Sequence, residues 1–212
     1  MLWRKHVLVW IILLLLGAML VPALSTPSDI MKRVLREIDL IETALGKVET
    51  KSITTTASAI YRAVFLESGI IETTQKAMVT KEEQASANSM FGSSVTKLSD
   101  TTNDYILGFS ALCFASLVRI LIFWSWLPYL LPFFLAVIFD GFARRQVKMA
   151  QFGYVSPVLY SLALHSMIVI IFLPALYLLV PIPLTPLLIP FWALVAAVPA
   201  MAMISNTQQM GS

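Results

Sequence analysis

Outside the polar residues 25–105, few side chains could exchange protons, attack a substrate or hold a metal, and most of those few lie among apolar residues. The two histidines are His6 and His165, and Arg119 interrupts an apolar run that also holds Cys113, the one cysteine. If such a run crosses a membrane, an ionisable residue within it is a functional candidate by default, for example in an ion pathway. A histidine bonded to a neighbouring hydroxyl or carbonyl is the more common arrangement. We therefore predict intramembrane polar contacts for Arg119, Tyr160 and His165, and a packed, unreactive role for Cys113.

A second group of charges forms one island, FDGFARRQVK, at residues 139–148, and no Asp, Glu, Lys or Arg follows it. Bases at the end of an apolar segment indicate its cytoplasmic side, and each is attracted to anionic lipid by about 1 kcal/mol. An acid is not needed for that purpose. Asp140 lies four residues before Arg144, the spacing of an ion pair on one helix face. We predict a partner-docking or topology site formed by Asp140, Gly141, Arg144, Arg145 and Lys148.

Several classes of function lack the residues that they need. There is no H-E-x-x-H, Walker A or Cys/His cluster, so zinc proteolysis and nucleotide hydrolysis are not indicated. Gly92-Ser93-Ser94 lies in a polar region away from any membrane histidine, which argues against intramembrane serine proteolysis. The net charge of +3 is small and scattered, unlike that of a nucleic-acid-binding protein. We expect a non-enzymatic protein with no catalytic residue, cofactor or metal site, and no direct binding of nucleic acid.

The composition indicates which elements must position these residues. The chain is 58% hydrophobic and 13% charged, whereas soluble domains are roughly 45–50% apolar and about 25% charged. We predict an all-α, polytopic membrane protein with about four transmembrane helices and an α-helical exported (periplasmic) region between the first and second. The predicted segments are 1–24, cytoplasmic N-terminus and first transmembrane helix; 25–104, periplasmic helices; 105–139, second transmembrane helix; 140–156, cytoplasmic basic loop; 158–180 and 187–204, third and fourth transmembrane helices; and 205–212, cytoplasmic tail.

Two of these predicted spans each have an alternative interpretation. The first apolar run is longer than the 7–15 residues of a usual signal sequence, so we expect a retained anchor rather than a cleaved signal peptide. The second run, 105–139, would measure about 52 Å as a helix, well beyond the ~30 Å hydrocarbon core. Two short spans would place the basic island on the exported side. We therefore predict one long helix that is bent at Pro128 and Pro132.

The polar block 25–104 carries its own helix signals. Thr26-Pro27-Ser28-Asp29 has the form of a capping box with proline at the first helical position. Apolar residues then recur at steps of three and four, with a break predicted near residues 49–52 and a loop over 81–94. The first seam is Val34, Ile38, Ile41, Leu45 and Val48. Two readings remain open: a small exported domain of two or three helices, or a helical spacer between spans.

The bases outside residues 25–105 predict the orientation, because Lys and Arg accumulate on the cytoplasmic side of a membrane. With both termini in the cytoplasm, five of these six bases lie on that side, and Arg119 lies in the outer half of the second span. A charge at mid-membrane costs roughly 2.5–3.5 kcal/mol on insertion scales. We expect Arg119 to snorkel toward the headgroups, with a contact to another span as the alternative.

A set of short motifs in the second half resembles a known family. The motifs are Trp126-Leu127-Pro128, Asp140-Gly141, Arg144-Arg145, Phe152-Gly153-Tyr154-x-Ser156-Pro157 and Tyr160. They are similar to the core of the DUF4400 family, membrane proteins of integrating conjugative elements and related plasmids that are often encoded near the coupling ATPase of type IV secretion loci. The resemblance is strongest from Tyr105 to the C-terminus. The family has histidines soon after the tyrosine, whereas here Ser161 and Leu162 follow and His165 comes later.

This resemblance implies an accessory subunit of DNA transfer in the bacterial inner (cytoplasmic) membrane. Its expected partners are the lipid bilayer and other membrane proteins of the conjugation apparatus, including the coupling ATPase as a candidate for the island. Whether the chain also forms a homo-oligomer is left open. The alternatives are a small transporter or exporter that uses Arg119 and His165, and an exclusion protein that acts in the recipient cell.

Overall fold

The computed structural model describes residues 2–69, 78, 80, 82–83 and 94–207, which fold into helices without any strand. A single π turn, Arg62–Leu66, follows the third helix. The helices are α1 (Leu2–Leu24), α2 (Pro27–Leu45), α3 (Lys47–Tyr61), α4 (Ser94–Ala150), α5 (Pro157–Leu179) and α6 (Leu188–Ser205). The predicted all-α fold is therefore confirmed. The loop predicted over 81–94 lies outside the described residues, apart from 82–83 and the first residue of α4.

Four of these helices, α1, α4, α5 and α6, are long and apolar enough to cross a membrane, as the sequence predicts. Most of the apolar side chains of helix α1 are exposed, including Leu15, Met19 and Leu24. Exposed apolar surface of this extent is unfavourable in water and is accounted for by contact with lipid or another protein.

Helix α4 is longer than the span that the sequence predicts. It contains 57 residues, about 85 Å at 1.5 Å per residue, and it runs through Pro128 and Pro132 without interruption. Each proline removes one backbone hydrogen bond, but membrane helices tolerate this loss. The predicted boundary at residue 139 is absent, and the expected basic loop 140–156 is helical as far as Ala150. The i,i+4 pairing of Asp140 with Arg144 supports this continuation of the helix.

The chain forms two compact units, one of which comprises Leu15–Leu121 and Leu178–Thr185. Helix α2 begins as predicted: Thr26 is the N-cap, its hydroxyl accepts from the Asp29 amide, and Pro27 is the first helical residue. The break after α2 falls at Gly46 rather than at residues 49–52. Gly46 has φ +86°, a backbone conformation that glycine adopts without steric cost. Of the first predicted seam, Val34 and Ile41 are buried, whereas Val48 is 86% exposed. Ile30 of α2 and Ile53 and Ala57 of α3 are buried as well.

The other unit comprises Met1–Leu14, Ile122–Tyr177 and Pro186–Ser212, of which residue 1 and residues 208–212 are not described. Trp192 on α6 holds two elements of this unit together, because its indole nitrogen donates to the Ile170 carbonyl on α5 at 2.8 Å. The rings of Phe123 and Phe134 on α4 pack against the same indole, with centroids 5.6 and 5.9 Å away. Small residues of α6, such as Ala193, are buried as well.

Candidate functional site

The first polar cluster joins Arg119 of α4 to Glu37 of α2. Arg119 Nε donates to Glu37 Oε1 at 2.8 Å, and Arg119 Nη2 donates to Glu37 Oε2 at 2.7 Å. This is a two-pronged, charge-assisted contact, the strongest type of hydrogen-bonded ion pair. Both side chains are buried, with 3% of the Arg119 side chain and 4% of the Glu37 side chain exposed. Burial of both charges means that neither can be removed alone without leaving the other unpaired.

Arg119 also binds the backbone just after α5. Its Nη1 donates to the carbonyls of Leu178 (3.2 Å) and Val180 (2.7 Å), and its Nη2 donates to the Ile182 carbonyl at 3.0 Å. Carbonyls at a helix C-terminus lack intrahelical donors, and the prolines that follow have no N–H with which to supply them. A cation at this position is also favoured by the helix dipole. Arg119 therefore caps α5 from a different helix.

The interpretation that Arg119 snorkels is wrong. All five N–H groups of its guanidinium have an acceptor within this cluster, and its head is buried rather than exposed. Burial raises the pKa of Glu37, and the hydrogen bonds and charge of Arg119 oppose that rise. The arrangement has the properties of a structural anchor, because it leaves no guanidinium donor for a transported ion.

Glu37 was missed by the sequence reasoning, although a signal for it is present. The buried residues of α2 are Ile30, Val34, Glu37 and Ile41, a face with steps of four, three and four that holds the acid where the predicted seam has Ile38. An acid on a buried face requires a buried cation as its partner. Arg119, the one base in a long apolar run, was the available candidate.

The second cluster is the charged island on the last turns of α4. Arg144 Nε donates to Asp140 Oδ2 at 2.8 Å, and both side chains are about half exposed. Gly141 lies on another face of the helix, where an added Cβ would come within 2.9 Å of Ile204 Cβ on α6. Of the two roles open to this glycine, helix termination and close packing, the structure assigns close packing.

Lys148 differs from its neighbours because it is tied to the end of α6. Its Nζ donates to Asn206 Oδ1 at 2.9 Å, and the same oxygen accepts the Ser156 amide at 3.3 Å. Asn206 is 3% exposed, and its amide nitrogen donates to the Ala202 carbonyl at 2.8 Å. This network therefore joins the ends of α4 and α6 to the start of α5.

Three side chains of the island and the following turn lack comparable partners among the described residues. Arg145 Nε is buried with no hydrogen-bond acceptor in the part of the chain that the structure describes. Phe152 is 99% exposed and has a positive φ of 50°, and Tyr154 is also largely exposed. A large apolar side chain in the left-handed region is a genuine outlier, and such outliers often lie at functional sites.

The two histidines, which the sequence reasoning treated separately, lie close together. The rings of His6 on α1 and His165 on α5 have centroids 5.6 Å apart. His165 Nδ1 lies 2.7 Å from the Ser161 carbonyl, the local contact that is common for a histidine in a helix bundle. Tyr160 is half-buried on the same helix and takes part in neither of the two clusters. Thus the predicted trio of Arg119, Tyr160 and His165 is divided between the two units.

These features define a class: an α-helical protein with four membrane-length helices, an anchored helical region, and a charged, aromatic surface at the end of α4. A family model described as "IncC plasmid conjugative DNA transfer protein DtrJ-like" matches residues 30–210, and the chain belongs to this family. The expected link to conjugative DNA transfer is thereby confirmed. No curated protein and no solved structure matches the chain.

Proposed function

We propose that this chain is a non-enzymatic accessory subunit of a conjugative type IV secretion apparatus in the bacterial inner membrane, with both termini cytoplasmic. In this proposal the end of α4 and the turn after it dock a partner such as the coupling ATPase. The observation that carries the proposal is the exposed acid–base pair, Asp140 with Arg144, on a helix that continues beyond its apolar part. Membership of a family of plasmid transfer proteins supports the setting.

The fold itself gains little from these exposed groups. A surface ion pair is worth roughly 0.2–1 kcal/mol, so stability does not explain the acid at Asp140. Arginine and aromatic residues are enriched at protein interfaces, and here the exposed side chains of Arg144, Phe152 and Tyr154 lie within one short stretch. In this proposal an apolar pocket of the partner covers Phe152.

The orientation in the proposal follows from the same bases. Arg144, Arg145 and Lys148 lie at one end of the apolar part of α4, as expected for the cytoplasmic side. No acid is required for orientation, which leaves Asp140 as the residue that best separates docking from topology.

A charge exchange tests the docking surface. Asp140→Arg combined with Arg144→Asp keeps an i,i+4 pair and the net charge of the island, so orientation should be unchanged. We expect Asp140→Ala to reduce both copurification of the coupling ATPase and transfer frequency, and the exchanged pair to remain defective. The matched control exchanges Glu42 and Lys47, an exposed pair 3.7 Å apart in the other unit. Full activity of the exchanged island would contradict docking, because the pair would then act only within the helix.

Transfer frequency after deletion of the gene tests the subunit role itself. Loss of transfer from the donor, restored by the gene in trans, is the expected result. Unchanged transfer from an otherwise intact element would contradict it. Expression of the gene in the recipient alone tests the alternative of an exclusion protein, which predicts fewer transconjugants.

A further inference from the structure

An apolar groove of about 480 Å³ lies within the unit that contains Arg119, between the start of α2, the end of α3 and the first half of α4. Met31, Leu107, Ala111 and Phe114 form apolar walls, while Ser58 and Arg62 supply polar groups. The lining is therefore amphipathic, with most of its surface apolar and a cation among its polar groups.

The position of the groove along the helices is defined by packing within this unit. A Cβ at Gly108 of α4 would meet Pro22 of α1 at 3.5 Å, so the last turn of α1 lies beside the groove. The apolar segment of α1 ends at Leu24, which is largely exposed. On α4 the last acid before the apolar segment is Asp104. Both helices thus pass from polar to apolar sequence at the level of the groove, as expected at the surface of a bilayer.

The floor of the groove is fixed before any ligand binds. The hydroxyls of Tyr61 and Ser110 hydrogen-bond to each other, joining α3 to α4. The Tyr61 ring also packs edge-on against Phe114, with centroids 5.7 Å apart, and stacks on Phe65 at 4.7 Å. A site that is ordered in advance loses less conformational entropy when it is occupied.

Arg62 supplies the charge that selects a ligand. It is exposed, it forms no ion pair with another described residue, and it begins the π turn Arg62–Leu66. Turns of this kind occur frequently at functional sites. A guanidinium binds phosphate well because its planar, forked donors match two phosphate oxygens.

We propose that this groove binds one phospholipid with an anionic headgroup. The acyl chain lies along Met31, Leu107 and Phe114, and the phosphate contacts the Arg62 guanidinium. The inference does not depend on docking at Asp140, since none of the groove residues belongs to the island. A peptide segment as the occupant is the competing outcome of the test below.

Native mass spectrometry of the full-length protein, in detergent with equal amounts of phosphatidylglycerol and phosphatidylethanolamine, measures the preference directly. We expect one retained anionic lipid per chain in addition to weaker binding elsewhere. Arg62→Gln should lower the preference for the anionic lipid about fivefold, the effect of removing one base near an anionic phosphate. The matched control is Lys51→Gln, an exposed base on α3 that does not line the groove, and it should leave the preference unchanged.

A second variant locates the lipid and does not depend on charge. Leu107→Trp should fill the groove and remove the tightly held lipid, with helix content by circular dichroism as the check on folding. A photoactivatable side chain at position 107 should give a phospholipid adduct in native membranes. A polypeptide adduct at that position, or equal effects of Arg62→Gln and Lys51→Gln, would overturn the proposal.

Discussion

Replacing Arg119 by methionine should destabilise the protein far more than replacing an exposed arginine. The substitution removes the three contacts to Glu37 and the donors to three backbone carbonyls, while the methionine side chain occupies much of the same space. Breaking a buried ion pair by removing one partner costs about 3–5 kcal/mol, because the other charge is left uncompensated. Arg144→Met removes an exposed pair and should cost at most about 1 kcal/mol.

A double-mutant cycle separates the ion pair from the carbonyl contacts. Glu37→Met leaves Arg119 with its three carbonyl acceptors, whereas the double variant leaves no charge in the cluster. The double variant should therefore be less destabilised than the sum of the two single variants, with a coupling of about 1–3 kcal/mol.

Cys113 provides the assay, because it is the only cysteine, is half-buried, and lies six residues before Arg119 on α4. Labelling of this thiol by a maleimide is followed as denaturant is added to the protein in detergent micelles. The free energies of unfolding of wild type, the two single variants and the double variant then give the coupling energy of the cycle. A free energy of unfolding for Arg119→Met within 1 kcal/mol of the wild-type value would refute the reasoning, because a buried unpaired carboxylate should destabilise the protein by more than that.

The stability of the Arg119→Met variant should depend on pH in a defined direction. In Arg119→Met the Glu37 carboxyl keeps the burial that raises its pKa above the ordinary 4.5 and loses the guanidinium that lowers it. A raised pKa in the folded state means that stability is present below the unfolded pKa and is lost as the pH rises through the folded pKa. The loss of stability of Arg119→Met relative to wild type should therefore become smaller as the pH is lowered from neutral toward 4.5. A loss that becomes larger on acidification would contradict this.

Three further outcomes are expected from denaturant unfolding of single variants. Gly141→Ala places a methyl 2.9 Å from Ile204 Cβ and 3.1 Å from its Cγ2, and it should cost about 1–3 kcal/mol. Ile204→Gly removes both of these atoms, so the double variant should lose less stability than the sum of the two single variants; additive losses would place the strain elsewhere. Asn206→Ala leaves Lys148 and the Ser156 amide without their acceptor and should cost about 1–3 kcal/mol, whereas a neutral effect would mean that solvent replaces it. Phe152→Gly relieves the positive φ and should stabilise by about 1 kcal/mol while reducing partner binding, and unchanged binding would remove Phe152 from the docking surface.

Much of the fold was predictable because its signals are local. The capping box at Thr26 and the four membrane-length apolar segments depend on neighbouring residues and are found as predicted. The end of α4 was predicted wrongly, because basic residues after an apolar run are compatible with either a loop or a continuing helix. The spacing of Asp140 and Arg144 favoured the helix, and this local pairing was the better guide.

The polar clusters were less predictable because their partners are distant in sequence. Arg119 and Glu37 are 82 residues apart, and Lys148 and Asn206 are 58 residues apart. Neither spacing has a periodic signature. The predicted seam of α2 includes Ile38 rather than Glu37, so it did not indicate that this acid is buried. A physical rule still applied to Arg119, since a base within an apolar run requires a compensating charge. Nothing comparable marked the proximity of His6 and His165.

The long separation of Glu37 from Arg119 also has a consequence for biogenesis. Ribosomes make the acid 82 residues before the base, so the carboxylate that pairs with Arg119 is synthesised before α4 begins. The carbonyls of the α5–α6 connection follow 59 to 63 residues later. The acceptors of Arg119 are therefore synthesised on both sides of it, and the full set is complete only once the α5–α6 connection has been made.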